Sequence, residues 1–351
     1  MADDPRTIPA LIKHVGRGAR LAKALTRDDA RWMMTRLARG DATPEQQGAF
    51  LIALRMKGET AEELAGFADA LAEGAADALG GPLAPGRPVI DVDLHGDGRA
   101  GRPIATLPAA CVAAALGAGV LVRAAADNPH ARAELGAILD FLGLTTTPAA
   151  ARRTLDGVGF AVVDLAGYAP AAARLLGLRA LLGVRSAVNT AVKLMDPLGT
   201  RRVVVGIFHG PYHAPVAGAV ALRGVARAAI VQAPGGVPEL APDKPTRVSL
   251  IDDGVPAGVR ELHGGTAPLV ELGLGPLPTC ADAVAHASAI QEVLARPASA
   301  PRSLVRFVLA TASLHLWAAG LAPTPLDPET LARAHEVLHT GQAAAVLAAA
   351  R

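Results

Sequence analysis

The chain has 351 residues, is 51% hydrophobic and only 3% aromatic, and carries a net charge of +2. That is ample apolar material for one large domain or two unequal ones, with cores filled by Ala, Val and Leu. Two cysteines, Cys111 and Cys280, exclude a disulfide scaffold or a thiolate metal site and fit a reducing, cytoplasmic setting.

The N-terminus, MADDPRTIPA, lacks the basic-then-apolar profile of a signal peptide. Residues 8–79 read as helices. Ile8, Leu11, Ile12 and Val15 recur at helical spacing, and Thr26, Thr43-Pro44 and Thr60 stand where N-caps belong. Glu63, three residues after Thr60, completes a capping box. Gly80–Pro88 reads as a linker. Beyond it the spacing predicts strands at 89–92, 119–123, 160–163, 202–207, 227–232 and 246–250. Helices are predicted at 105–117, 130–142, 148–155, 170–182, 187–195, 213–223, 281–295, 302–319 and 328–348. Strands alternating with helices imply a mostly parallel sheet covered on both faces. The nearly uncharged stretch Ile104–Val122 is cut by Pro108, Gly117 and Gly119, so it reads as a buried helix and strand and not as a membrane span.

The stretch Pro88–Leu107 runs from an apolar strand into a glycine turn (Gly96, Gly98, Gly101) and then a helix, the arrangement that cradles phosphate. Its turn also carries Asp91, Asp93 and Asp97, and Pro103 removes a donor at the helix entry. In His209-Gly-Pro-Tyr-His213 two histidines are four apart, but the glycine and proline between them break a helix, which disfavours a metal site. Asp252-Asp253-Gly254 reads as a turn. Ser186 and Thr190 have no base placed near them by sequence.

Three segments carry a resemblance. GAFLIALRMKGET (Gly48–Thr60), LGVRSAVNTAVKLMDPLGTRRVVVGIF (Leu182–Phe208) and VLATASLHLWAAG (Val308–Gly320) resemble glycosyltransferase family 3, the family of the anthranilate phosphoribosyltransferases. The resemblance implies a small all-helical domain plus a larger α/β domain with a mostly parallel sheet. It assigns 1–80 with 168–195 to the first, which pairs two subunits as a homodimer, and 88–167 with 196–351 to the second, with the cleft between them. The family's motifs for phosphoribosyl pyrophosphate and magnesium are incomplete. Of GTGGDGxxT, only Gly96, Asp97 and Gly98 match, and Asp93-Leu94-His95 replaces the first Gly-Thr-Gly. Of NxST, Thr106 remains. Of KHGNR, only the first charge remains, as Arg123. The acidic pair that holds magnesium becomes Pro238-Glu239. Arg185 and Asn189 are kept where the family contacts the acceptor.

That pattern resembles a divergent branch of the family that binds nucleic acid without strong sequence preference. Charge is distributed in keeping with it: residues 1–57 carry +5, residues 171–202 carry +5, and the rest carries −8. The expectation is therefore a homodimer that binds DNA or RNA through a basic groove, with no cofactor. Arg17, Arg20, Lys23, Arg27, Arg31, Arg174, Arg179, Arg185, Lys193, Arg201 and Arg202 would meet phosphates. Gly96, Asp97, Gly98, Thr106, Arg123 and Asn189 would remain as a residual anion pocket. The alternative is an active transferase moving phosphoribose to an aromatic acceptor, with magnesium as cofactor.

Overall fold

The computed structural model describes residues 6–18, 20–83, 86–96, 101–125, 134–263, 269–273 and 275–351. The chain opens with helices α1 (Ile8–Val15), α2 (Arg27–Arg39), α3 (Pro44–Lys57), α4 (Ala61–Leu71) and the short α5 (Ala75–Ala78). Each of the first four starts where a threonine can cap it. Thr26 Oγ1 accepts from Asp29 N, and Thr43 with Gln46 and Thr60 with Glu63 form capping boxes. Glu63 does more than cap. Fully buried, its carboxylate also accepts from Leu25 N and pairs with Lys57, stitching three helices together. Gly66 lets α4 lie against α2: a Cβ there would stand 2.3 Å from Arg27 O.

The remaining elements alternate. They are β1 (Val89–Asp93), α6 (Thr106–Ala115), β2 (Gly119–Ala124), α7 (Leu135–Phe141), α8 (Pro148–Val158), β3 (Phe160–Asp164), α9 (Leu165–Tyr168), α10 (Pro170–Leu182), α11 (Ala187–Ala191), β4 (Arg202–Ile207), α12 (His213–Leu222) and β5 (Arg227–Gln232). A hairpin of β6 (Thr246–Asp252) and β7 (Val255–Leu262) follows, then α13 (Ala283–Ala295), α14 (Arg302–Ala319), α15 (Pro328–His339) and α16 (Gln342–Ala349). The sheet order is β3-β2-β1-β4-β5-β6-β7, with β1 to β5 parallel and the last two strands antiparallel. This is the expected fold: a small helical unit plus a larger α/β unit with a mostly parallel sheet.

One sheet face, with Ile90, Val92, Val120, Val122 and Val204, packs on α6 and α13 to α16. On the other, Leu121, Ala161 and Val163 meet the helical unit, and Val203, Val205 and Ile230 meet α12 and α4. The elements found differ from those expected at several places: the helix expected over 187–195 ends at Ala191, and the short helix α9 is not among the elements expected. The strand β7 is not among them, because Pro256 and Gly258 disfavour a strand; it forms as an exposed edge, held by a two-residue turn with Asp253 and Gly254 both at positive φ. The helix expected over 328–348 breaks at Gly341, which takes φ 81°. Neither Cys111 nor Cys280 is in a disulfide, and both are buried. Among the described residues no helix is long and apolar enough to cross a membrane.

Helix α14 buries His315 completely, with neither ring nitrogen hydrogen-bonded among the described residues. Burial pushes that imidazole down to about 3. Between its ordinary pKa of about 6.5 and that value, the unfolded chain takes up a proton the folded chain refuses. Stability is therefore intact above about pH 6.5 and falls toward pH 3, at up to about 1.4 kcal/mol per pH unit from this group. His315→Leu should remove that component, so urea unfolding at pH 7 and pH 5 should differ less in the variant than in the parent.

Candidate functional site

Strand β1 is flanked by β2 on one side and β4 on the other. The chain runs outward through β2 and β3 and then returns to β4. In open α/β sheets the crevice beyond the strand ends at such a reversal is where ligands bind. Here the cavity at that point is lined by His95 and Gly96 after β1, Gly206 and Ile207 ending β4, Phe208 and His209 beyond it, Tyr212, and Gly236 in the loop after β5. The helical side supplies Arg55 from α3, Arg185, Ser186, Asn189 and Thr190 around α11, and Lys193. The loop after β5 crosses β4 so closely that a Cβ on Gly206 would lie 2.2 Å from Gly236 O.

A buried ionic ladder forms the floor. Arg123 on β2 donates from Nε to both Asp91 oxygens, at 2.8 and 2.9 Å. Its other nitrogens donate to Val192 O and Lys193 O at 2.6 and 2.7 Å, so one guanidinium ties β1 and β2 to the segment after α11. Burial raises the Asp91 carboxyl to about 7 despite the lowering pull of Arg123. Lys193 Nζ in turn donates to Asp93 Oδ2 at 3.1 Å, His95 O at 3.3 Å and Gly236 O at 2.9 Å. Asp93 Oδ1 lies 2.5 Å from His95 Nδ1. Burial alone would raise the Asp93 carboxyl, but His95, Lys193 and Arg123 around it outweigh that cost and hold it well below the usual carboxylate range.

Farther along the helix entry, Glu239 Oε1 accepts from Ala105 N, Thr106 N and Thr106 Oγ1 at 2.9–3.1 Å. The start of α6, where the sequence suggests a phosphate, is thus filled by a carboxylate of the chain itself. At the opposite end of the cavity the Tyr212 hydroxyl donates to Glu59 Oε2 at 3.0 Å. Burial, then Glu59, pushes the Tyr212 hydroxyl up to about 12, and burial raises the Glu59 carboxyl.

The residual anion pocket expected from sequence is divided. Gly96 and Asn189 line the cavity, while Asp97 and Gly98 fall outside the described residues. Thr106 and Arg123 are buried and engaged as above. Asn189 Oδ1 also accepts from Ser186 N, closing the first turn of α11. Arg55, Tyr212 and Phe208 are not among the residues expected from sequence. Arg55 lies inside the segment GAFLIALRMKGET that carries the resemblance, so the signal is present there; Phe208 and Tyr212 enter only because β4 ends at this crevice. His209 lines the cavity, whereas His213 is turned away to Ser249 Oγ and Gln232 Oε1.

The basic residues nominated for nucleic acid do not form one groove. Arg27 pairs with Asp69 and donates to Leu222 O; Arg174 donates to Leu37 O and Ala38 O at the end of α2; Arg201, at φ 56°, donates to Gly224 O. Arg179 is buried, Arg202 is half-buried at the start of β4, and Arg185 and Lys193 face the cavity. Arg17, Arg20, Lys23 and Arg31 are exposed, on the helical unit. Much of the charge asymmetry is therefore taken up in holding the fold.

Removing Arg123 takes the donors away from the buried Asp91 carboxyl and from Val192 O and Lys193 O. Arg123→Met should lower stability by about 3–5 kcal/mol at pH 7, measured by denaturant unfolding.

Two family models match the chain: the helical bundle domain of a glycosyl transferase family over residues 9–75, and the a/b domain of that family over residues 89–344. The anthranilate phosphoribosyltransferase of Anaeromyxobacter dehalogenans (strain 2CP-1) is 33% identical over 327 residues, covering 91% of each chain. That of Moorella thermoacetica is 31% identical over 348 residues, covering 97% of each. Among solved structures, anthranilate phosphoribosyltransferase from Thermus thermophilus superposes with a TM-score of 0.79 at 27% identity, over 95% of this chain and 97% of that one. The Saccharomyces cerevisiae enzyme in complex with PRPP and Mg shares the fold at 18% identity, with a TM-score of 0.76 over 98% and 96%. These relatives overturn the expectation of a nucleic-acid-binding protein: they are transferases, and nothing in the comparisons points to nucleic acid. The chain belongs to the glycosyl transferase family whose members join this helical bundle domain to this a/b domain.

Proposed function

We propose that this chain is an active glycosyltransferase that attaches a sugar phosphate to a small aromatic carboxylate held in the cleft between its two units. The observation that carries the reading is the cavity itself. It sits at the sheet's reversal point and presents Arg55 and Arg185 beside Phe208, Tyr212 and Asn189. Guanidinium groups recognise a planar carboxylate, and an aromatic wall accepts the ring. The names of the relatives, which describe transfer to anthranilate, support the same class of acceptor.

Magnesium and a diphosphate are what the family implies at the donor end, and the residues there do not fit them as arranged. Glu239 occupies the N–H groups that open α6, Lys193 and His95 occupy Asp93, and proline stands at 238 where the family has a second acid. Among the described residues no three His, Cys, Asp or Glu side chains gather as metal ligands. The chemistry assigned here is accordingly confined to the acceptor: Arg55 and Arg185 bind and orient it.

We also infer that two copies pair through the helical unit. Leu21, Met56 and Leu181, each more than 60% exposed on that unit, support this. The buried thiols of Cys111 and Cys280 support a reducing, cytoplasmic setting.

Titration calorimetry with anthranilate tests the acceptor reading. Binding in the micromolar range is expected, with Arg185→Ala weakening it at least tenfold; no heat from the parent chain would sink the reading. Sedimentation should give a dimer, with Leu181→Glu shifting it toward monomer.

A further inference from the structure

We propose that His95 is a catalytic residue of this cleft, the general base that takes the proton from the acceptor's nucleophilic N–H or O–H, and that Asp93 is its positioning residue. The proposal rests on the acceptor reading above and names the group that would activate that acceptor.

The two ring nitrogens of His95 have different surroundings. Nδ1 faces Asp93 Oδ1 at 2.5 Å, and Asp93 is fully buried with Lys193 on its other oxygen. A carboxylate so held accepts a hydrogen bond, so Nδ1 carries the hydrogen, and in the neutral imidazole Nε2 is then the ring's acceptor. Among the described residues Nε2 is buried and has no hydrogen-bond partner, although His95 forms part of the cavity wall with Arg185, Asn189, Lys193 and Tyr212. A buried acceptor without a donor is unfavourable unless a ligand supplies one. Carboxylate, imidazole and a bare nitrogen at a cavity wall form the arrangement in which an acid orients a histidine base and stabilises its imidazolium.

The other titratable groups around the cavity are less suited. Glu59 is engaged by the Tyr212 hydroxyl. His209 is exposed and stacks edge-on against Phe208, with ring centroids 4.7 Å apart. The ammonium of Lys193 is held by three oxygens.

In the step, the acceptor's proton moves to His95 Nε2 and the bond pair stays on the acceptor atom. That pair forms the bond to the anomeric carbon of a glycosyl donor, whose leaving group departs with the electrons of the bond it breaks. The imidazolium stands beside the Asp93 carboxylate and then returns its proton to water or to the leaving group.

The test uses the full-length chain labelled with ¹⁵N-histidine, the His95 signals being assigned by their loss in His95→Asn. That variant keeps an N–H where Nδ1 donates to Asp93 and removes the base, so the local fold is retained. Expected are the Nδ1–H tautomer at pH 7 and a shift of the Nε2 resonance on adding anthranilate. In His95→Asn, transfer activity measured with anthranilate and phosphoribosyl pyrophosphate should fall about 10²–10⁴-fold in kcat. An Nε2–H tautomer overturns the proposal with or without ligand, as does anthranilate binding that leaves Nε2 unmoved or a His95→Asn variant of parental kcat. Absence of anthranilate binding, or of transfer by the parent chain, overturns the proposed function instead, and this role of His95 with it.

Discussion

The cleft depends on one buried guanidinium. Arg123 neutralises Asp91 on the neighbouring strand and gives its remaining donors to the carbonyls of Val192 and Lys193. A charge taken fully out of water survives only where every donor is met. This one is met partly by the sheet and partly by the segment that leaves the helical unit, so the same contacts also fix where the two units meet. Lys193, placed by that contact, reaches Asp93, His95 O and Gly236 O. The strand end, the loop after β5 and the wall of the cavity are thereby held in one register.

The same ladder explains why this cleft differs from a cradle for a free anion. Asp93 and Glu239 lie where a phosphate would be expected, and each is answered by the chain: Asp93 by Lys193 and His95, Glu239 by the first N–H groups of α6 and the Thr106 hydroxyl. The positive end of the helix is satisfied internally, and the guanidinium groups that line the cavity, Arg55 and Arg185, come from α3 and from the entry to α11. Selectivity in such a site comes from where positive charge still faces the ligand space.

Local chemistry was legible in the sequence wherever it acts over a few residues. The caps at Thr26, Thr43 and Thr60 fall where they were expected, and the six strands β1 to β6 stand within two residues of their anticipated limits. The missed strand β7 and the broken C-terminal helix have different causes: pairing with β6 outweighs the local preference of Pro256 and Gly258, whereas Gly341 stops the helix by its own left-handed conformation. The charge reading failed for a related reason. Net charge along a segment counts Arg27 and Arg179 as free surface cations, whereas folding pairs Arg27 with Asp69 and buries Arg179; Arg174 and Arg201 stay exposed but donate to the end of α2 and to Gly224 O.

The sequence by itself determined the class of fold, the order of its elements and the family, because hydrophobic period, caps and short motifs are properties of neighbouring residues. Only the tertiary structure decided what the altered loop does. Asp93 and His95 read as the loss of a phosphate loop when taken along the chain. With Lys193, one hundred residues away, against one carboxylate oxygen and the His95 ring against the other, they become an oriented pair at a cavity wall. Burial, ionisation and the freedom of Nε2 depend on groups that the fold brings together from distant segments, and no local pattern encodes that meeting.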